Sequence, residues 1–282
     1  MMTDCRIVAL YSGSGGNSTY IRVADTAILI DAGKNAKRLC AALKEIGSDI
    51  EEIRAIFITH DHADHISALE VLSKKHNIPI HVTEQSARVF DRGCPQPIHS
   101  RLVRHKPIFT VELDDMTVSS FVTPHDSMMS VGYRIEFFDG EEKRAVGLAT
   151  DIGYITDDIR SGLLGCEAVV LESNHDVEML RRGPYPEVLK KRILSNRGHL
   201  SNKDSALFSA YLAANGTRAF MLAHLSEENN EPTLAFEETE RAISDCGVSL
   251  AVAMPDQPTE LRIPTIEEAE NDRRKVYNPW NA

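Results

Sequence analysis

A chain of 282 residues is long enough for one large domain or two small ones. Its 42% apolar and 26% charged residues are ordinary globular values, which exclude collagen-like, coiled-coil and wholly disordered chains. A formal net charge of −11, from 31 Lys and Arg against 42 Asp and Glu, excludes a surface coated in basic side chains but leaves room for a local basic groove.

In chain order, residues 6–10 and 18–23 read as strands around the loop Ser12-Gly13-Ser14-Gly15-Gly16-Asn17. Residues 27–30 form a short apolar strand that ends at Asp31. Residues 34–46 have helical spacing, with Leu39, Leu43 and Ile46 on one face and Gly47 as a stop. A buried strand over 55–58 runs into Thr59-His60, a helix follows over 64–76, and a strand over 78–82. The middle is richer in strands: 118–122 leads to Pro124-His125, and 131–138 and 144–149 flank a turn at Asp139-Gly140. The strand over 144–149 ends at Thr150-Asp151, and one over 168–171 ends at Glu172. Helices over 186–194 and 202–214, a strand over 218–222 ending near His224, a helix over 233–245 and a strand over 248–253 complete the pattern.

This alternation predicts one mixed α/β domain over residues 1–262, followed by a polar tail over 263–282 that carries Tyr277 and Trp280. The longest clean apolar runs, such as 250–254, are about five residues, against about 20 for a spanning helix, so no membrane span is expected. The N-terminus has no basic n-region or apolar h-region, and no secretory signal is expected. Cys5, Cys40, Cys94, Cys166 and Cys246 are scattered and form no CxxC pair, which fits small buried residues in a reducing compartment.

The segment His60-Asp61-His62-Ala63-Asp64-His65 carries the chemistry. It follows an apolar strand and opens a helix. His60 and His62, two apart at a strand exit, can point to the same side, while Asp64 and His65 on the first helical turn face a second point. This spacing suits two adjacent divalent metals, with Asp61 a solvated turn residue. Distant partners are expected just past other strands: His125, Asp151 and His224 share that context, and Asp151 is the carboxylate able to bridge two cations.

HxHxDH after a strand, with distant His, Asp and His, resembles the metallo-β-lactamase superfamily. The blocks at 11–18, 57–66, 127–133, 149–154 (Ala149-Thr150-Asp151-Ile152-Gly153-Tyr154), 172–180, 198–202 and 223–230 resemble its YycJ (WalJ)-like branch of metal-dependent 5′-to-3′ exonucleases. The resemblance implies a four-layer αββα sandwich with the metal site at one edge of the two packed sheets. It implies a cytoplasmic hydrolase acting on nucleic acid, DNA in preference to RNA, with a link to genome maintenance and to repair or replication proteins. It implies His60, His62 and His125 at a first metal, Asp64, His65 and His224 at a second, Asp151 bridging, and Asp31 behind them orienting ligands. Mixed His and carboxylate ligation suits Zn²⁺, Mn²⁺ or Fe²⁺.

Metal-assisted phosphodiester hydrolysis is the leading expectation, with a hydroxide bridging two metals as nucleophile and Asp64 in the catalytic set. His199 and His175 are each either functional, as a phosphate contact or a proton donor to the leaving oxygen, or a hydrogen-bonded structural histidine. Ser12, Gly13, Ser14 and Asn17 form either an anion cradle or a tight glycine turn, and match neither a P-loop nor GxGxxG. Arg181, Arg182, Lys190, Lys191, Arg192, Arg197 and Lys203 lie against Glu187 alone within 181–203, either as a phosphate track or as a solvated face, with Tyr185 available for stacking. Two other readings remain. One is a hydrolase of small thioesters, lactones or phosphoesters, since fold does not fix function. The other is a metal-stabilised nucleic-acid-binding module without turnover.

Overall fold

The computed structural model describes residues 5–91, 96–265 and 268. Cys94, Tyr277 and Trp280 lie outside the described residues.

The first half builds one sheet. β1 (Cys5–Tyr11), β2 (Ser18–Val23) and β3 (Thr26–Ile30) run as an antiparallel meander. Helix α1 (Ala36–Glu45) follows, its first turn closed by the Asn35 side chain accepting from the Arg38 amide. β4 (Ile53–Phe57), β5 (Ile80–Thr83) and β6 (Leu102–His105) then add in parallel. The short helices α2 (Ala63–Ile66), α3 (Leu69–Lys75) and α4 (Gln96–His99) connect them.

The second half repeats the plan. β7 (Thr110–Glu112), β8 (Thr117–Thr123), β9 (Ser130–Asp139) and β10 (Glu142–Ala149) are antiparallel. β11 (Ala168–Glu172), β12 (Ala219–Ala223) and β13 (Ser249–Val252) continue from β10 in parallel. Between them run α5 (Asp157–Leu163), α6 (Val177–Arg182), α7 (Glu187–Ile193), α8 (Asn202–Ala214) and α9 (Pro232–Ile243). β14 (Thr259–Leu261) returns to pair antiparallel with β1.

Among the described residues each sheet has seven strands, in the orders β14-β1-β2-β3-β4-β5-β6 and β13-β12-β11-β10-β9-β8-β7. Alternation along the strands sends one set of side chains between the sheets, where Ile21, Phe57, Val131, Tyr133, Val146 and Met221 pack. The opposite set packs outward, under α1 and α3 on one side (Leu39, Leu43, Leu69, Leu72) and under α5, α8 and α9 on the other (Leu163, Phe208, Leu212, Ile243). The four-layer αββα sandwich is therefore observed.

Differences from the sequence expectations are local. The helix expected over 64–76 is split into α2 and α3. The carbonyls of Asp64 and His65 accept from Asn17 N and Ala32 N, both at 2.8 Å, so they face the loops beside them. β6, β7 and β14 were not anticipated; they are short edge strands of three or four residues. α5 was missed although Thr156 caps the Ile159 amide and Asp157 and Asp158 occupy its first turn. No helix among the described residues is long and apolar enough to cross a membrane.

Candidate metal centre

Six candidate side chains stand at or just beyond the C-terminal ends of strands: Asp31 after β3, His60 after β4, His125 after β8, Asp151 after β10, Glu172 closing β11 and His224 after β12. β3 and β4 are parallel, β8 and β10 share a direction through β9, and β10, β11 and β12 are parallel. The topology therefore gathers these ends at one edge of the sandwich, where open α/β sheets carry their ligands. Asp31, Asp151 and His224 have φ of 64°, 58° and 56°, the left-handed region that non-glycine residues rarely enter. This strain turns each side chain off its strand into the centre.

Ligand atoms of His60, His62 and His125 lie within 4.8 Å of one another, as do those of Asp64, His65 and His224, and of His60, His65 and Asp151. The residues expected at two neighbouring ions are thus brought together, with Asp151 between them. Its oxygens lie 3.4 Å from His65 Nε2, 3.7 Å from His125 Nε2 and 3.6 Å from His224 Nε2.

The outer nitrogens are anchored. His65 Nδ1 donates to Asp31 Oδ2 at 2.7 Å, and Asp31 also accepts the Thr59 amide and hydroxyl, each at 2.8 Å. His125 Nδ1 donates to Gly198 O at 3.0 Å, and His224 Nδ1 to Glu172 Oε1 at 3.0 Å. Anchoring one ring nitrogen fixes the tautomer and aims the other inward. His60 Nε2, His125 Nε2, His224 Nε2 and Asp151 Oδ2 are buried with no hydrogen-bond partner. Buried polar atoms normally have one, so this converging set fits divalent cations.

Electrostatics divide the histidines into two groups. Burial pushes His60 well below the ordinary histidine value and lowers His125, which keeps both imidazoles neutral. Burial also opposes charge on His65, but Asp31, Asp151 and Asp64 outweigh it and raise that group to about 10. Asp151 and Glu172 likewise raise His224. Despite burial, the surrounding histidines hold Asp64 and Asp151 below the carboxylate range.

Glu172 was not singled out from the sequence. It is fully buried, and Oε1 accepts from both His199 Nδ1 (2.8 Å) and His224 Nδ1 (3.0 Å). Oε2 takes the Ile152 and Leu200 amides at 2.8 and 3.0 Å. Neighbouring His199 and His224 draw its carboxyl down to about 2 against the effect of burial. The signal was available, since it ends a strand as Asp31 and Asp151 nearly do. His199 joins the centre, with its ring 5.0 Å from that of His125 and 5.2 Å from that of His224.

Other expectations need correction. His175 is buried to 1% exposure, burial lowers its pKa to about 4, and its ring nitrogens have no partner. A neutral, enclosed imidazole is not placed to protonate a substrate. Asp61 lies at a bend and is half-buried, as a turn residue would be, and its Oδ1 also accepts the Met128 amide at 3.0 Å. The glycine loop is largely spent on the scaffold. Ser12 Oγ accepts the His224 amide, and the Gly13 amide goes to Asn17 Oδ1. The Asn17 amide group donates to Asp64 Oδ2 at 3.1 Å, while Ser14 and Gly15 stay exposed. Lys190 is buried, with Nζ on Arg181 O at 2.8 Å. Arg181 and Arg182 pair with Glu178, and Arg192 pairs with Asp126, so carboxylates outside 181–203 offset this stretch. Lys191, Arg197, Lys203 and Tyr185 remain at the surface or partly so.

A β-lactamase superfamily domain matches residues 26–254. The chain belongs to the metallo-β-lactamase superfamily. Within it the chain sits in the YycJ/WalJ branch. It is 35% identical over 260 residues to exodeoxyribonuclease YycJ of Bacillus anthracis, covering 91% of this chain and 96% of that one. It is 34% identical over 264 residues to exodeoxyribonuclease WalJ of Streptococcus pneumoniae, covering 92% and 96%. The metallo-β-lactamase fold protein YhfI of Bacillus subtilis shares the fold, with a TM-score of 0.66 at 16% identity over 91% of this chain and all of that one.

Proposed function

We propose that the chain is a metal-dependent exodeoxyribonuclease that removes nucleotides from DNA in the 5′-to-3′ direction. One observation carries this: two donor sets, His60/His62/His125 and Asp64/His65/His224, flank the shared carboxylate Asp151 beside a partly exposed His199. The names and the overall identity of the YycJ and WalJ relatives support DNA as the substrate. His60, His62, His125, Asp64, His65, His224 and Asp151 would hold divalent ions of the Zn²⁺, Mn²⁺ or Fe²⁺ class, which would supply a nucleophilic water at neutral pH and offset charge on the phosphoryl oxygens.

The chain's own residues do the rest. Asp31 and Thr59 fix the His65 ring, and Asn17 holds Asp64. Glu172 accepts the Nδ1 hydrogen bond of His199, which leaves Nε2 as the atom that meets substrate. His199 keeps 18% of its side chain exposed, and as an imidazolium, with a hydrogen on each ring nitrogen, it is the group assigned to protonate the departing oxygen from Nε2. Arg197 and Lys191 supply positive charge for the phosphodiester chain.

A small-molecule ester or phosphoester hydrolase is the second reading, favoured by the pairing of Arg181, Arg182 and Arg192 with carboxylates. The deciding assay uses end-labelled linear DNA and matched RNA with added Mn²⁺ or Zn²⁺, beside His62→Ala. Release of 5′ label as mononucleotides from DNA, absent in the variant, is the expected result. Undiminished cleavage by the variant, with contamination excluded, or no cleavage by metal-loaded protein, sinks the nuclease reading.

A further inference from the structure

Beside the metal centre a recess of about 380 Å³ opens, and His125 forms part of its wall. Tyr154 and Met128 line it at 47% and 52% exposure, two large apolar side chains facing solvent at one spot. Arg197 and Asn196 line it too, and the Arg197 guanidinium is tethered on His125 O at 3.2 and 3.3 Å. Ser127 contributes a buried hydroxyl with no hydrogen-bond partner.

Backbone contacts join the walls. Gly153 N donates to Pro124 O at 2.8 Å, and a Cβ on Gly153 would lie 2.1 Å from Asn196 O, so the segments carrying Tyr154 and Asn196 touch through backbone. The Met128 amide is held by Asp61 of the metal-binding motif itself. The recess is therefore built in register with the metal ligands.

We propose that this recess is a nucleobase subsite, in which a base of the substrate stacks on Tyr154 against Met128 while its phosphate faces the donors beyond His125. This deepens the exonuclease reading and rests on it. A π-face, a sulfur-bearing apolar wall and a tethered cation suit a planar aromatic attached to a phosphodiester. Stacking rather than a matched set of edge contacts dominates the recess, so the subsite accepts every base with little preference.

Calorimetric titration of the metal-loaded protein with dAMP and with deoxyribose 5-phosphate tests this, because both carry the phosphate and one carries a base. Wild type binds dAMP more tightly by between about 5-fold and about 150-fold, the range one stacked base spans. Tyr154→Ala moves the ratio toward one, Met128→Ala lowers it, and Tyr154→Phe preserves it. Tyr154 is half exposed, and circular dichroism confirms that each variant is folded. Equal binding of the two ligands by wild type, or a ratio untouched by Tyr154→Ala, overturns the subsite. The two readings separate: base preference without DNA cleavage refutes the nuclease and keeps the subsite, while DNA cleavage without base preference does the reverse.

Discussion

Glu172 shows how one side chain can organise a reactive centre without facing substrate. Each of its oxygens accepts two hydrogen bonds, from His199 and His224 on one and from the Ile152 and Leu200 amides on the other. Glu172→Gln puts an amide N–H₂ against donors and frees at least one imidazole to rotate. Loss of such an outer partner typically costs about 10- to 100-fold in metal affinity or activity. Metal titration and kcat are expected to fall within that range, and retention of both within threefold would remove the positioning role. Asn17→Ala tests the glycine loop in the same way. A cradle for substrate phosphate raises KM, whereas the observed bond to Asp64 makes weakened metal binding the expected outcome.

The decisive contacts between elements are close approaches of backbone. Gly33, between β3 and α1, has no room for a side chain, since a Cβ there would lie 1.6 Å from Asp64 O. Gly33→Ala must push α2 away, and a loss of about 1–3 kcal/mol is expected, read from the denaturant midpoint. A second prediction lies where β5 and β6 meet the segment leading to β7. Phe57, His81, His105 and Phe109 stack in sequence, and His81 Nδ1 lies 2.9 Å from His105 Nε2. Burial, then the neighbouring His105, lowers His81 to about 4. Its folded value lies below the unfolded one, so the unfolded chain binds the extra proton between pH 6.5 and 4. The contribution of His81 to stability therefore falls as pH drops through that window and is constant above it. Partial solvent screening keeps the effect on the order of 1–2 kcal/mol. His81→Phe should flatten this acid limb in pH-dependent urea unfolding; an unchanged slope would exclude His81 as the cause.

Across the whole molecule, both sheets deliver their strand ends to one edge, so metal binding and folding are coupled. The centre joins β3 and β4 of one sheet to β8, β10, β11 and β12 of the other. Ions that bind only the folded state add stability by mass action, about 2.7 kcal/mol at a hundredfold excess over Kd. For a domain of this size that is a rise in Tm of roughly 5–10 °C. Thermal melts with Mn²⁺ or Zn²⁺ and then with chelator are expected to show it reversibly, and His62→Ala to reduce it. Equal melting temperatures in both conditions would mean that the donors hold no ion.

Much of this protein was already written along the chain. Strand and helix periods pointed to one mixed α/β domain, the family resemblance implied its layering, and the HxHxDH run with His125, Asp151 and His224 past apolar strands marked the candidate metal centre, because those signals are local. The centre's supporting shell was not legible in the same way. Whether Asn17 meets phosphate or Asp64, whether Lys190 faces solvent or Arg181 O, and whether Asp61 is free or holds Met128 depend on segments far apart in sequence. Polar side chains look alike in a sequence, and their roles follow from which partner folding brings within hydrogen-bond reach. Glu172, His175 and the recess at Tyr154 were decided there too, since burial and backbone approach are properties of the packed sandwich.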